Sequence, residues 1–343
     1  MSQLQQQQEH PQEQQHSQEQ GQQGLNIGFI GFGTIASSIA TGIVKQTQVP
    51  IQSITVTRRS QAKSTALQKD FPALTTITDD TQVIIDKATD FIFLCLLPET
   101  LQSVLQTVSF HNNSTATVIS VVASSHLPDI AHWTQLPLSR MAKMICTPAI
   151  AHHQGVSLLL PGVNLMKDDQ DSSTLMDTAK EEKKVPETLE HATPSPISSS
   201  SSKLSQLLEA TGGVVECKSP QHMNNLMTPF CAMGPIYGLL RHHQQWLVQQ
   251  GGIDPSTAQT LITKQYHAIV YDALSTTEAT TTHDDTPTTA SSSSDRLQEL
   301  IDEQTPNGLN EQALRQWTNL GALDSYTQVL NSMVDRLEGG HTS

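Results

Sequence analysis

The sequence predicts an α/β domain followed by an all-α domain, and three features of the chain support this prediction. Between residues 25 and 162, short apolar runs alternate with segments of helical length, a pattern typical of a mostly parallel sheet covered on both faces. The runs FIFLCL and TVISVV are apolar throughout, as expected of central strands that lie between two layers of helices. From residue 220 onwards the apolar spacing is helical.

The individual elements follow from this alternation and from the turn residues between the runs. Strands are predicted at residues 26–30, 53–57, 90–96, 117–122, 140–145 and 156–160. Helices are predicted at residues 34–46, 61–69, 81–87, 99–108, 220–249 and 255–273, with two shorter ones starting at Leu309 and Leu323. In the segment GGIDPS, Gly251 and Gly252 end one helix, and Asp254 caps the next, which begins with Pro255.

Three segments have the composition of disordered chain. Residues 1–23 are a Gln-rich tail with almost no apolar side chains, and its acidic residues and lack of Lys or Arg are unlike a targeting peptide. Residues 166–203 and 275–295 are charged or rich in Ser, Thr and Pro, so we expect flexible insertions. The expected domains are therefore residues 24–165 and residues 204–338.

Charge and cysteine content exclude several classes of protein. A formal net charge of -14 argues against a nucleic-acid partner, which requires a basic face. No apolar run is long enough to cross a bilayer, so we expect a soluble protein without a membrane partner. The four cysteines are scattered without a CxxC pair, which predicts reduced, buried thiols in the cytoplasm.

The segment LNIGFIGFGTIASSIATGI at residues 25–43 is the most specific motif. Gly31-x-Gly33-x-x-Ala36 combines a tight turn, a backbone that can touch a pyrophosphate, and a small residue where the helix packs on the strand. The amides after Gly33, starting with Thr34 and Ile35, would face the phosphates. This predicts dinucleotide binding by a Rossmann-type domain, whereas the alternative is an ordinary buried strand followed by a turn.

The end of the second predicted strand indicates which dinucleotide is bound. An Asp or Glu there is typical of NAD binding, but the chain has Thr57, Arg58, Arg59 and Ser60, with Lys63 one turn further on. Guanidinium groups and hydroxyls suit a 2′-phosphate, so we predict NADPH, with NADH as the alternative. The other interpretation is that both arginines only solvate the end of a strand.

Five motifs in this order resemble the pyrroline-5-carboxylate reductase family, from residue 25 to about residue 337 without the insertions. They are IGFIGFGTIASSIATGI, CLLPETLQSVL, ICTPAIAHHQGVSLL, TPFCAMGPIYGLL and TPNGLNEQAL. The resemblance implies a Rossmann-type domain followed by an all-α dimerisation domain, in a homodimer or a higher homo-oligomer. It also implies an active site at the subunit boundary, where NADPH reduces a cyclic imine carboxylate in proline biosynthesis.

The resemblance also implies roles for particular residues. The glycine loop corresponds to Gly31, Gly33, Thr34, Ile35 and Ala36, and the 2′-phosphate segment to Thr57, Arg58 and Arg59. The nicotinamide end corresponds to Leu96, Leu97, Pro98, Ala123 and Ser124. In the substrate loop, the Gly308 and Leu309 amides and the Thr305 hydroxyl would hold the carboxylate, and Asn310 would contact the ring nitrogen. The alternative for this loop is a plain helix start after a Pro turn.

The chain departs from the family pattern at four of these places. Leu97 replaces a lysine, Cys146 an asparagine, Asn307 a glycine and Asn310 a threonine. These differences leave open a reductase of another imine or of a β-hydroxyacid, or a non-catalytic NADP-binding regulatory protein. The pairs His152–His153 and His242–His243 have no third ligand at metal spacing, so no metal site is predicted.

Overall fold

The computed structural model describes residues 24–58, 60–112, 115–165, 197–278 and 295–339. The chain divides into two compact units, the first ending at Cys217 and the second beginning at Lys218. The tail at residues 1–23, most of the two predicted insertions, and Arg59 lie outside the described residues.

The first unit is built on one sheet, which has eight strands among the described residues, in the order β3-β2-β1-β4-β5-β6-β7-β8. The strands are β1 (Leu25–Ile30), β2 (Ile51–Thr57), β3 (Thr75–Thr78), β4 (Phe91–Leu94), β5 (Thr117–Ser120), β6 (Met141–Ile145), β7 (Ser157–Pro161) and β8 (Val214–Glu216). The first six are parallel, β7 is antiparallel to β6, and β8 is parallel to β7. The order 3-2-1-4-5-6 is that of a Rossmann fold, and the strand order reverses between β1 and β4.

Helices connect the parallel strands. They are α1 (Thr34–Lys45), α2 (Gln61–Asp70), α3 (Thr81–Lys87), α4 (Pro98–Leu105), α5 (Leu127–Thr134) and, before β8, α6 (Ile197–Glu209). On β1, Phe29 is fully buried, and its ring stacks on that of Phe93 in β4 with centroids 4.9 Å apart. Ala36, Ile39 and Ile43 of α1 are buried in the same core. The core therefore holds the start of α1 firmly at the end of β1.

All six predicted strands are present, but β3, β8 and α5 were not predicted, and neither was a helix at Arg296–Asp302 in the second unit. The strands β3 and β8 have the short sequences TTIT and VVE, and most of their residues are partly or fully exposed. Because the strand prediction depended on long apolar runs, it found the buried strands and missed these two.

The segment before β8 differs from its prediction. Residues 197–203, which we expected in a flexible insertion, form the first half of α6. Leu204, Leu207 and Leu208 of this helix are buried in the core of the sheet, because their spacing places them on one helical face. The first unit therefore extends to Cys217, beyond the expected domain boundary at residue 204.

Every element described in the second unit is a helix. The helices are α7 (Pro220–Phe230), α8 (Met233–Gln249), α9 (Pro255–Glu278), α10 (Arg296–Asp302), α11 (Leu309–Asn319) and α12 (Ala322–Leu337). The predicted helix at 220–249 is broken after Phe230, close to Pro229 inside α7. The described residues confirm the predicted fold class, an α/β domain of Rossmann topology followed by an all-α part.

The turn before α9 was predicted correctly. Asp254 Oδ1 accepts hydrogen bonds from the Ser256 and Thr257 amides, both at 3.0 Å, and α9 begins with Pro255. Hydrogen bonds from Thr257 and Ser256 lower the pKa of Asp254 to about 2. Gly252 has the positive φ of 65° expected where a helix ends.

Candidate functional site

The turn between β1 and α1 requires glycine at its first position. Gly31 has a φ of +85°, and a Cβ atom there would lie 2.4 Å from the carbonyl oxygen of Cys95. The Gly31 amide donates a hydrogen bond of 3.2 Å to Thr57 Oγ1, which ties the turn to the end of β2. The turn is therefore fixed between two neighbouring strand ends.

The second glycine faces open space. Gly33 is the N-cap residue of α1 and makes no side-chain cap, and a Cβ atom there would meet nothing within 4 Å. Ala36 is buried under the turn, while the exposed Thr34 accepts a hydrogen bond of 2.7 Å from Lys63 Nζ. The start of α1 thus combines uncapped backbone amides with a nearby cation, which suits a pyrophosphate.

A cleft of about 250 Å³ lies at the carboxyl ends of the strands beside this turn. Its lining residues are Ile30, Gly31, Thr57, Arg58, Asp79, Thr81, Leu96 and Val104. The cleft brings together four residues that the sequence predicted for cofactor binding. Its volume is below the usual range of ligand pockets, so the cleft is too small to enclose a whole dinucleotide.

Within the cleft, Arg58 forms an ion pair that sequence reasoning missed. Its Nε atom lies 3.0 Å from both carboxylate oxygens of Asp79, which follows β3. The end of β2 itself carries no carboxylate, since residues 57–60 are Thr, Arg, Arg and Ser. The strand β3 itself was not predicted, so its end could not be placed beside Arg58.

The residues predicted for the nicotinamide end lie on two loops. Leu97 is 56% exposed and is the N-cap residue of α4, whose first residue is Pro98. Ala123 is exposed on the loop after β5, next to Ser124. Ala123 does not line the cleft described above.

A buried lysine, which we did not predict, supports the loop after β5. Lys143 on β6 is 8% exposed, and its Nζ atom donates to the carbonyl oxygens of Ala123 at 2.6 Å and Ser125 at 3.0 Å. Burial lowers the pKa of Lys143 to about 8. The Ser120 and Ser125 hydroxyls hydrogen-bond at 2.7 Å in the same buried region. This network fixes the backbone of the loop that carries Ala123.

The predicted substrate loop lies at the start of α11 in the second unit. Thr305, Gly308, Leu309 and Asn310 occupy one turn, and Gly308 is the N-cap residue. The Gly308 amide donates to the Thr305 carbonyl at 2.8 Å, so it already has a partner within the turn. The Asn310 side chain donates to Gln304 Oε1 at 2.9 Å, and Leu309 is 83% exposed.

Two features of this loop were not anticipated. Asn307 has a φ of +59°, a backbone conformation that glycine and asparagine adopt readily. Its amide donates a hydrogen bond to the Glu311 carboxylate, which also pairs with Arg315 at 3.5 Å. The Glu311 carboxylate therefore lies at the start of α11, where we expect a ligand carboxylate to bind.

The cysteines agree only in part with their prediction. Cys146 and Cys217 are buried, and burial raises the pKa of their thiols to about 12 and about 11. Burial also raises the pKa of Cys95. Cys231 is exposed, because it lies in the break between α7 and α8 rather than in the core.

No group of three or more His, Cys, Asp or Glu side chains in the described ranges could hold a metal ion. None of the helices in the described part of the chain has both the length and the apolar character needed to span a membrane.

The strand order, the glycine turn and the cleft define a dinucleotide-binding domain of the Rossmann class. A family model described as NADP oxidoreductase coenzyme F420-dependent matches residues 26–124, the part of the chain that carries these features. No curated protein sequence matches the chain.

The chain is similar in fold to solved pyrroline-5-carboxylate reductases. The enzyme from Streptococcus pyogenes is 17% identical with a TM-score of 0.61, and the match covers 92% of this chain and 98% of that one. The enzyme from Coxiella burnetii is 19% identical with a TM-score of 0.63, covering 93% and 100%. The Plasmodium falciparum enzyme, solved with NADP bound, is 13% identical with a TM-score of 0.62, covering 92% and 98%. At these identities the similarity establishes a common fold.

Proposed function

We propose that this protein is an NADPH-dependent reductase that converts the cyclic imine 1-pyrroline-5-carboxylate to proline, in proline biosynthesis in the cytoplasm. The observation that supports this most is the fold, which is similar over nearly the full length of three pyrroline-5-carboxylate reductases. The glycine turn and the cleft lie where a Rossmann fold binds its cofactor, at the carboxyl ends of the strands beside the reversal of strand order.

The residues present fit a dinucleotide. The open space beside Gly33 and the uncapped start of α1 suit the pyrophosphate. Thr57 and Arg58, with Arg59 next in the chain, would hold the adenosine end and its 2′-phosphate. Leu97, Pro98 and Ala123 would line the nicotinamide end. Bound NADPH supplies the hydride.

The protein's own contribution to imine reduction is mainly orientation, since an iminium carbon is electrophilic without further activation. The start of α11 favours a negative charge, so the Thr305 hydroxyl and the Leu309 amide would hold the substrate carboxylate. Asn310 would turn its side chain from Gln304 to the ring nitrogen.

The second unit supports a homodimer or a higher homo-oligomer. Large apolar side chains on its helices are exposed, among them Ile236, Tyr237, Trp246 and Val270. A groove of about 610 Å³ between α8 and α9 is lined mainly by apolar side chains, including Trp246 and Leu261. Apolar surface of this kind marks an interface, and a second copy of the chain is the partner we propose.

NADPH oxidation with 1-pyrroline-5-carboxylate, measured beside NADPH binding without substrate, tests this proposal. We expect turnover in the wild type and a loss of about 10-fold or more in Asn310→Ala, with NADPH binding unchanged. Asn319→Ala, at the other end of α11, is the matched control and should keep full activity. NADPH binding without turnover would overturn the reductase and favour a regulatory protein, and full activity of Asn310→Ala would remove that residue from the site.

A further inference from the structure

The ion pair between Arg58 and Asp79 follows from the pairing of two neighbouring strands. In the parallel register of β2 and β3, Thr57 pairs with Thr78, so both strands end at the same level. The next residues, Arg58 and Asp79, therefore lie side by side, and the Arg58 amide donates to the Thr78 carbonyl at 3.0 Å. Both side chains line the cleft of about 250 Å³.

The Asp79 carboxylate is available to a ligand in this cleft. Its side chain is 74% exposed, while that of Arg58 is 46% exposed. The adjacent Asp80 is different, because its carboxylate caps α3 by accepting from the Gln82 amide at 2.8 Å. Asp79 lines the cleft and accepts a hydrogen bond from Arg58, whereas Asp80 is not among the residues that line the cleft.

The two dinucleotides differ at the group that would meet this pair. A ribose 2′-hydroxyl can donate a hydrogen bond to a carboxylate, which is the usual basis of NAD binding at this end of the sheet. A 2′-phosphate is attracted by the guanidinium but repelled by the carboxylate, and it must compete with Asp79 for Arg58. The arginine therefore favours NADPH, while the aspartate favours NADH.

We propose that Asp79 is a cofactor-selecting residue, which offsets the preference for NADPH that Arg58 provides, so that the chain binds both dinucleotides with comparable affinity. This inference rests on the proposed function, because it concerns the cofactor of the same site. It assigns selectivity to a carboxylate after β3, although the end of β2 carries none.

The test compares the binding of NADPH and NADH to the wild type and to Asp79→Asn by nucleotide fluorescence, without substrate. Calorimetry with adenosine 2′,5′-bisphosphate and with 5′-AMP repeats the comparison on the adenosine end alone. We expect the ratio of NADPH to NADH affinity to rise about 10-fold in Asp79→Asn, as expected when one close charge repulsion is removed. Arg58→Gln should change the ratio in the opposite direction.

Asp86→Asn is the matched control, since it removes the same charge from α3 at a residue that does not line the cleft. A ratio in Asp79→Asn that equals the ratio in Asp86→Asn would overturn the inference, as would a wild type that binds NADPH more than about 100-fold tighter than NADH. If the NADPH to NADH affinity ratio rises in Asp79→Asn as expected but the wild type does not turn over the imine, the proposed function alone is overturned. Turnover with an unchanged ratio would overturn the inference alone.

Discussion

The two glycines of the β1–α1 turn have different physical roles, and alanine substitutions should separate them. In Gly31→Ala, the new Cβ atom overlaps the Cys95 carbonyl and the residue keeps a left-handed φ, so we expect a loss of at least about 2 kcal/mol in unfolding free energy. In Gly33→Ala, the Cβ atom enters open space, so stability should change by less than about 0.5 kcal/mol.

Urea unfolding and NADPH titration of both variants check this. Gly33→Ala should bind NADPH at least about 10-fold more weakly despite its normal stability, because its Cβ atom lies where the pyrophosphate must approach. If Gly33→Ala bound NADPH as tightly as the wild type does, the phosphate site would be elsewhere.

Glu311 should weaken the binding of an anionic substrate. Its carboxylate accepts from the Asn307 amide at the start of α11, close to where we place the substrate carboxylate. In Glu311→Gln, we expect the KM for 1-pyrroline-5-carboxylate to fall several-fold with little change in kcat, because a like charge is removed from the site. Asp335→Asn on α12 removes the same charge elsewhere and should leave the KM unchanged. An increased KM in Glu311→Gln would show that the glutamate helps the loop to bind.

For single residues, the sequence predicted those that belong to one strand or to the turn directly after it. Gly31 directly follows β1 and Thr57 ends β2, so both line the cleft at the ends of strands that the sequence predicted. Asp79 and Glu311 were missed, because their roles depend on contacts that composition does not encode. Asp79 meets Arg58 only through the register of an unpredicted strand, and Glu311 reaches back to a backbone amide.

At the scale of elements, β6 carries a buried charge whose effect depends on pH. The folded state lowers the pKa of Lys143 to about 8, whereas in the unfolded chain it is about 10.4. Between these values the unfolded chain binds a proton that the folded chain does not, so this group makes stability rise with pH. Relative to Lys143→Met, the wild type should gain roughly 1–3 kcal/mol between pH 7 and pH 10.

Urea unfolding of both proteins across this pH range measures the difference. The buried thiols of Cys146 and Cys217 lower stability as pH rises, because they stay protonated only in the folded state. Both proteins carry these thiols, so their effect cancels in the difference. A wild type that loses stability relative to Lys143→Met as pH rises would contradict the lowered pKa.

Three elements that the sequence did not predict, β3, β8 and α6, share a physical cause. The strands β3 and β8 have four and three residues, so neither contains a long apolar run. The helix α6 begins with a serine-rich segment that has the composition of a linker, and only its later leucines bind it to the core. Tertiary packing decided these elements, whereas the central strands were decided by their own sequences.

At the scale of the whole molecule, the exposed apolar residues of α8 and α9 predict self-association. Sedimentation of the wild type should give at least twice the mass of the 37.4 kDa chain. In Val270→Glu, a charge replaces a residue that is 57% exposed, so we expect a shift toward the monomer. Gln249→Glu adds the same charge at a polar position and should leave the mass unchanged. A monomeric wild type would contradict the proposed assembly.

The reaction that we propose is the transfer of a hydride from NADPH to a cyclic imine. The most direct test is to supply NADPH deuterated at the transferable position together with 1-pyrroline-5-carboxylate, and to analyse the product by mass spectrometry. We expect proline that carries one deuterium at the former imine carbon, formed by the wild type and formed several-fold more slowly by Gly33→Ala at limiting NADPH. Binding of the dinucleotide without any deuterated proline would contradict the proposed reaction.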